Sequence, residues 1–164
     1  MKTFTTSLDK FNKITTIAVC VVIIGVIVFA LTLTDELVNK QKALPVIPIS
    51  LTLILLIAYA FRPNNYTVSD DKLMIHRMIS DVKILRSDIK SVEMIDESKV
   101  KNSIRTFGSG GFFGSYGKFW NSTLGSMTWY ITRKENFVLV TTNDEKKILL
   151  TPDEPEAFVA SLSS

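Results

Sequence analysis

The chain has 164 residues and a formal net charge of +3, with 46% hydrophobic and 21% charged residues. From Tyr66 to Ser164 it carries 13 basic and 13 acidic residues, so this region is neutral and the excess charge lies nearer the N-terminus. Nucleic-acid binding requires a basic stripe on a folded domain, so this distribution argues against nucleic acid as a partner.

Two apolar segments without a charged residue, Ile14–Thr34 and Leu44–Phe61, dominate the first part of the chain. As helices they would be roughly 31 and 27 Å long, close to the hydrocarbon thickness of about 30 Å. Only nine residues, Asp35–Ala43, separate them. The roughly 100 residues that remain are too few to cover two helices that are apolar on every face. The pattern therefore predicts a transmembrane hairpin over residues 14–61, with helices at 14–34 and 44–61.

Basic residues flank the outer ends of this predicted hairpin more densely than its loop. The outer ends carry six, which are Lys2, Lys10, Lys13, Arg62, Lys72 and Arg77, and the loop carries Lys40 and Lys42. The positive-inside rule then places residues 1–13 and the C-terminal region in the cytoplasm. The single cysteine, Cys20, falls within the first apolar segment, so neither an intrachain disulfide nor a cysteine metal site is expected.

After Asn65 the pattern changes to short β-type runs separated by polar turns. Seven strands are predicted, at Tyr66–Val68, Lys72–Met78, Val82–Leu85, Asp88–Ile95, Met127–Arg133, Phe137–Thr142 and Lys146–Leu150. Thr151 followed by Pro152 is typical of a helix start, and Phe158 and Leu162 would share one face of that helix. The prediction is an α+β fold in which a strongly bent sheet is closed at one end by a terminal helix.

A stretch rich in glycine and aromatic residues, Phe107–Lys118, lies between the fourth and fifth predicted strands. Its glycine spacing fits neither the P-loop nor the dinucleotide-binding fingerprint, which argues against a nucleotide. The aromatic residues could cover the open end of the sheet, or form a loop that enters the bilayer or contacts a partner. We expect Phe107 and Phe119 in the core. The predicted interaction loop comprises Arg105, Gly108, Gly110, Gly111, Phe112, Phe113, Gly114, Tyr116 and Gly117.

Residues that could support catalysis are few. The nearest candidates are Asp70, Asp71, His76, Asp153 and Glu154. All of them fit better as residues of a turn, a strand or a helix cap than as members of a nucleophilic or metal-binding set. The sequence therefore predicts no enzyme activity, no catalytic residues, no metal and no cofactor.

Several segments together resemble bacterial PH-domain membrane proteins. They are the hairpin, YTVSDDKLMIHR, RSDIKSVE, RTFGSGGFFGSYGKF with Arg105, and LLTPDEPEAF. The resemblance implies a pleckstrin-homology-like barrel over residues 66–164, in which two orthogonal antiparallel sheets of about seven strands are closed by a C-terminal helix. It also implies the cytoplasmic membrane of a bacterium as the location. Phosphoinositide binding is not carried over, because Lys72, Arg77 and Lys83 are offset by Asp70, Asp71 and Asp81.

These observations favour a membrane-anchored binding module at the cytoplasmic face. Its expected partners are the lipid bilayer, into which the hairpin is inserted, and a protein or a second copy of the chain. A sensor of membrane state or a lipid-contacting module is an alternative, and an enzyme acting on lipid or envelope precursors is less favoured.

Overall fold

The computed structural model describes residues 1–37 and 46–163, with the side chains of residues 30–37 and 46–48 excepted. The helices are α1 (Lys10–Leu37), α2 (Val46–Phe61), α3 (Glu97–Val100) and α4 (Pro155–Ser163). The strands are β1 (Lys2–Thr5), β2 (Pro63–Val68), β3 (Lys72–Arg77), β4 (Val82–Leu85), β5 (Ile89–Ile95), β6 (Ile104–Gly110), β7 (Ser115–Asn121), β8 (Gly125–Ile131), β9 (Phe137–Thr142) and β10 (Lys147–Leu150). Most of the predicted loop and the predicted helix start at Leu44 and Pro45 lie outside the described residues.

The strands form two sheets rather than a closed barrel. One sheet has the order β1-β2-β3-β4 and the other has the order β5-β9-β10-β8-β7-β6. The described residues therefore contain ten strands instead of about seven, and the sheets remain unclosed, so the architecture is that of a sandwich. The expectation that both sheets are antiparallel was wrong at one point, because β10 inserts between β8 and β9 and pairs with β8 in parallel.

The core between the two sheets explains why they pack. Apolar side chains of β2, β3 and β4 meet Val138, Val140, Ile148 and Leu150 of the six-stranded sheet. Helix α4 closes one end, and the fully buried Phe158 packs edge-to-face against Phe4 and Tyr66. The packing predicted for this helix is confirmed, although it begins at Pro155 rather than Pro152.

A second apolar cluster covers the opposite face of the six-stranded sheet. Phe119 stacks on Trp129 with 4.0 Å between the ring centroids, and Val100 of α3 is buried in the same cluster. The sheet is thus apolar on both faces over most of its width, which accounts for the continuous apolar run of β9.

The segment before the first long helix is part of the sandwich. Strand β1 pairs with β2, with Lys2 opposite Val68 and Thr5 opposite Asn65, and Phe4 is buried. Helix α1 begins at Lys10 because Asp9 caps it: Oδ1 of Asp9 accepts a 2.6 Å hydrogen bond from the backbone N–H of Asn12.

Helix α1 includes one segment, Lys10–Phe29, that is long and apolar enough to cross a membrane. The apolar part of α2 over residues 49–61 is shorter. Apolar side chains of both helices are exposed, among them Ile17, Val22, Leu53 and Leu56. An N-terminal apolar helix attached to an α+β sandwich is therefore the overall architecture.

Candidate functional site

The glycine-aromatic stretch forms a β-hairpin instead of a loop. Gly108 of β6 lies opposite Gly117 of β7, and both have positive φ angles, of +108° and +120°. A Cβ atom on Gly108 would lie 2.2 Å from the carbonyl oxygen of Tyr116. Only glycine permits this close approach of the two strands, so the stretch folds as an unusually tight pair.

The tip of this hairpin contacts both long helices. The backbone N–H of Phe113 donates a 3.1 Å hydrogen bond to Oγ1 of Thr16 in α1. The hydroxyl of Tyr116 donates to the carbonyl oxygen of Ala58 in α2, and the ring of Phe113 packs edge-to-face on Tyr59 at 5.2 Å. The hairpin thus fixes the domain against the helices at a second place, separate from the direct connection of α2 to β2.

The aromatic residues of the stretch divide differently from the expectation. Phe119 is buried as predicted, but Phe107 is 77% exposed and the prediction that it belongs to the core was wrong. Tyr116, predicted in the interaction loop, is buried, whereas Phe112 and Phe113 are partly exposed. The reason is a register shift between Arg105 and Phe107, which turns Phe107 away from the buried face.

The structure brings most of the predicted interaction residues to one groove between α2 and the β6–β7 hairpin. The groove has a volume of about 590 Å³. Its walls include Arg105, Phe107, Gly108, Phe112, Tyr116 and Gly117 from the hairpin and Ile54, Ile57 and Phe61 from α2. Gly110 and Gly111 instead line a depression next to it, together with Phe11 and Lys134.

Two residues of this groove, Arg77 and Tyr130, were not anticipated from the sequence. The guanidinium of Arg77 lies 5.5 Å from the ring centroid of Phe61 and 5.7 Å from that of Tyr130. Its Nε donates to the carbonyl oxygen of Ser80 at 2.7 Å. Burial raises the pKa of Tyr130, and the Arg77 charge acts against this shift. No sequence signal links these residues, because they come from three different elements.

An exposed apolar surface adjoins the groove on the same face of the hairpin. Ile104 lies opposite Trp120, and their side chains are 59% and 46% exposed. Phe107, which lies opposite Lys118 and is 77% exposed, is the third large apolar side chain exposed on this hairpin and also lines the groove. We call Ile104, Phe107 and Trp120 the apolar face. Within the described residues β6 is paired on one side only, so this face ends at a free strand edge.

A chain of side-chain hydrogen bonds at His76 has the composition of a catalytic triad. Nδ1 of His76 lies 2.9 Å from Oδ2 of Asp81, and its Nε2 lies 3.0 Å from Oγ1 of Thr67. Thr67 belongs to strand β2 and is only 2% exposed, so a substrate cannot reach its hydroxyl group. The series of hydrogen bonds continues from Thr67 to Thr3 and so connects β1, β2 and β3. It therefore acts as a structural connection.

Asp70, Asp71 and Glu154 lie in a turn or immediately before α4. Asp70 and Asp71 lie in the turn before β3, and the Asp71 carboxylate pairs with Lys72. The backbone carbonyl oxygen of Glu154 accepts a hydrogen bond from the backbone N–H of Phe158 in α4. In the described ranges, no cluster of three or more His, Cys, Asp or Glu residues could hold a metal ion.

Comparison with known families supports this description of the fold. The family model for the bacterial PH domain matches residues 64–164, which is more than half of the chain. No curated protein and no solved structure gives a significant match. The matched region begins in β2 and includes both sheets except β1, together with α4. The chain therefore belongs to the bacterial PH domain family.

Proposed function

We propose that this protein is a membrane-anchored PH-type binding module at the cytoplasmic face, which contacts a protein partner or a second copy of itself through its apolar face. The observation that carries the proposal is the exposure of Ile104, Phe107 and Trp120 together beside a free strand edge. Exposed apolar patches of this kind on small domains are typical of interaction sites. A free edge also allows an extended segment to be added by main-chain hydrogen bonds.

Strand β1 supports a two-helix hairpin as the anchor. It precedes α1 in the chain and pairs with β2, which follows α2. Both ends of the helical region therefore lie on the same side of any membrane it enters. The chain between them must cross an even number of times, so two crossings are the simplest arrangement that agrees with the length of α1.

The charges around the helix ends favour the cytoplasmic side. Lys10 and Lys13 begin α1, Arg62 follows α2, and Lys134 reaches the same region, where its Nζ lies 4.2 Å from the ring centroid of Phe11. No carboxylate pairs with any of these four side chains in the part of the chain that the structure describes. Basic side chains without a carboxylate partner at the ends of membrane-spanning helices are typical of their cytoplasmic ends.

Photo-crosslinking in native membranes tests the binding surface. A crosslinking amino acid at position 104 or 120 is expected to form a protein adduct, because both side chains point away from the sandwich. The matched control is position 85, since Leu85 is similarly exposed but lies on β4 in the other sheet. An adduct of twice the chain mass would identify a second copy as the partner, and a new mass another protein. Equal adducts from all three positions, or none from 104 and 120, would contradict the proposal.

A sensor of membrane state is the second candidate function. The contacts of the hairpin tip with Thr16, Ala58 and Tyr59 favour it, because a change in the tilt of α1 or α2 would move the hairpin that carries the apolar face. This candidate predicts that adduct yield from position 104 changes with bilayer thickness, whereas a simple tether predicts constant yield.

A further inference from the structure

The groove between α2 and the hairpin changes from apolar to charged along α2. Ile54 and Ile57 line it nearer the middle of the helix, and Arg77 lies against Phe61 at the end of the helix. Seven residues separate Ile54 from Phe61, which corresponds to about 10 Å along the helix axis. This distance is comparable to that between the phosphate of a phospholipid and the upper part of its acyl chains.

The charged end of the groove is suited to an anion. Arg77 and Arg105 both line the groove, Arg77 at its Phe61 end, and none of the residues that line the groove is acidic. Arg77 uses its Nε and Nη2 on Ser80, which leaves further N–H groups of its guanidinium available. Arg105 is exposed and has neither a hydrogen bond nor an ion pair within the described residues. Guanidinium groups bind phosphate oxygens strongly, because planar N–H pairs match their geometry.

The apolar end is suited to hydrocarbon. Phe107 and Phe112 of the hairpin line the groove together with Ile54 and Ile57 of α2, and the hydrogen bond from Tyr116 to Ala58 joins the hairpin to the helix. In the proposed membrane orientation α2 passes from the bilayer interior toward the headgroup layer. The groove would then have the same order of polarity as a lipid molecule in the adjacent leaflet.

We propose that this groove binds one anionic phospholipid of the cytoplasmic leaflet, with its phosphate at Arg77 and Arg105 and an acyl chain against Ile54, Ile57 and Phe107. Charge complementarity at one end of the groove and continuity with the bilayer at the other support this assignment. The site depends on the membrane anchoring proposed above, and it shares Phe107 with the proposed partner surface, whereas Ile104 and Trp120 do not line it.

Lipid retention by the purified full chain in detergent, measured by native mass spectrometry, tests this site. With phosphatidylglycerol added, we expect one lipid per chain, and much weaker retention of zwitterionic phosphatidylcholine. The double variant Arg77→Gln/Arg105→Gln should lower the apparent affinity about tenfold or more, because it removes two charge-assisted contacts. The matched control Lys10→Gln/Lys13→Gln removes the same charge outside the groove and should stay within about twofold.

Several results would overturn the site. One is an equal loss of lipid affinity in the two double variants, and another is equal retention of phosphatidylglycerol and phosphatidylcholine. The third is displacement of phosphatidylglycerol by inorganic phosphate, which would show that the ligand is a free anion. Arg105→Gln alone guards against misfolding, since the Arg105 side chain is exposed and makes no hydrogen bond to any other residue that the structure describes; this variant should still weaken lipid retention.

Failure of the chain to insert into nanodiscs would overturn the anchoring and this site together. If positions 104 and 120 form no protein adduct while lipid retention is as expected, only the proposed partner surface is contradicted.

Discussion

Asp153 joins three separate parts of the chain at the end of the sandwich. Its carboxylate accepts hydrogen bonds from the Thr5 hydroxyl at 2.6 Å and from the backbone N–H of Ser7 at 2.9 Å, and it forms an ion pair with Arg133. Burial acts to raise the pKa of Asp153, but these hydrogen bonds and the Arg133 charge outweigh it and lower the pKa below its ordinary value of 3.8. The ionised form thus holds the N-terminal segment to the domain.

The first prediction is that Asp153→Asn destabilises the protein at neutral pH and flattens its response to acid. Because the folded-state pKa is depressed, the stabilisation is complete above the unfolded-state pKa and disappears as the pH falls from about 4 toward the folded-state value. We expect a loss of roughly 1–2 kcal/mol at pH 7 and a smaller difference near pH 3. Denaturant titration of the full chain in detergent at several pH values measures both.

Asp144→Asn is the control for this prediction. Asp144 pairs with Lys146 on the surface, with both side chains largely exposed, so its replacement should change the unfolding free energy by less than about 1 kcal/mol. Equal effects of the two substitutions would show that Asp153 does not hold the N-terminal segment.

Phe107 and Phe119 allow a second prediction at the residue scale. Phe119 is buried on Trp129, so Phe119→Ser should cost about 3–5 kcal/mol. Phe107 is largely exposed, so Phe107→Ser should stay within about 1 kcal/mol. Thermal unfolding of the full chain compares the two. Similar losses would place Phe107 in the core and remove it from the apolar face.

The β6–β7 hairpin is the element that carries the candidate sites, and its pairing depends on glycine. A Cβ on Gly117 would lie 2.3 Å from the carbonyl oxygen of Phe107, at a φ angle that other residues rarely adopt. The opposite backbone would therefore have to shift, and it belongs to the hairpin whose tip contacts α1 and α2.

At this scale we predict that Gly117→Ala destabilises the hairpin by about 2 kcal/mol or more. Gly110→Ala is the control in the same hairpin, because its Cβ would meet only the flexible end of Arg105, at 3.3 Å. Limited trypsin digestion should cleave the Gly117→Ala protein faster at Arg105 and Lys118. Equal cleavage of the two variants would contradict the requirement for glycine.

At the scale of the whole molecule, the chain forms one sandwich. Its first strand, β1, precedes α1 and α2 in the sequence, and β2–β10 follow them. Residues 6–12 connect the start of α1 to the domain by hydrogen bonds. The hydroxyl groups of Thr6 and Thr132 are hydrogen-bonded to each other, and the side-chain amide of Asn12 donates to the carbonyl oxygen of Thr132 at 2.9 Å. Movement of α1 is therefore coupled to the domain at both the N-terminal segment and the hairpin tip.

The corresponding prediction is that both termini face the cytoplasm. Reporter fusions at Met1 and Ser164 should be active only as cytoplasmic reporters, and a fusion between residues 38 and 43 only as an external one, since the loop has two basic residues against six at the outer ends. Termini on opposite sides would require β1 to leave the sheet and would contradict the hairpin.

The candidate site could be predicted only in part. The glycines and aromatic residues drew attention to residues 105–117, and most of those residues line the groove or its neighbour. Arg77 and Tyr130 could not be found in this way, because their proximity depends on how two sheets pack. The alternation of buried and exposed positions in β6 and β7 could not be read from the sequence either, because glycine has no side chain whose polarity would assign it to one face of the sheet.

The sequence alone determined the apolar helices and the strands β2–β5 and β8–β10, because local periodicity and turn residues specify such elements without reference to the rest of the chain. Only the tertiary structure decided that Lys2–Thr5 pairs with residues 60 to 66 positions away and that β10 lies parallel to β8. It also decided that the register shift in β6 exposes Phe107. Such contacts depend on which backbone edges and apolar faces remain free after the local elements form, and no short stretch of sequence carries that information.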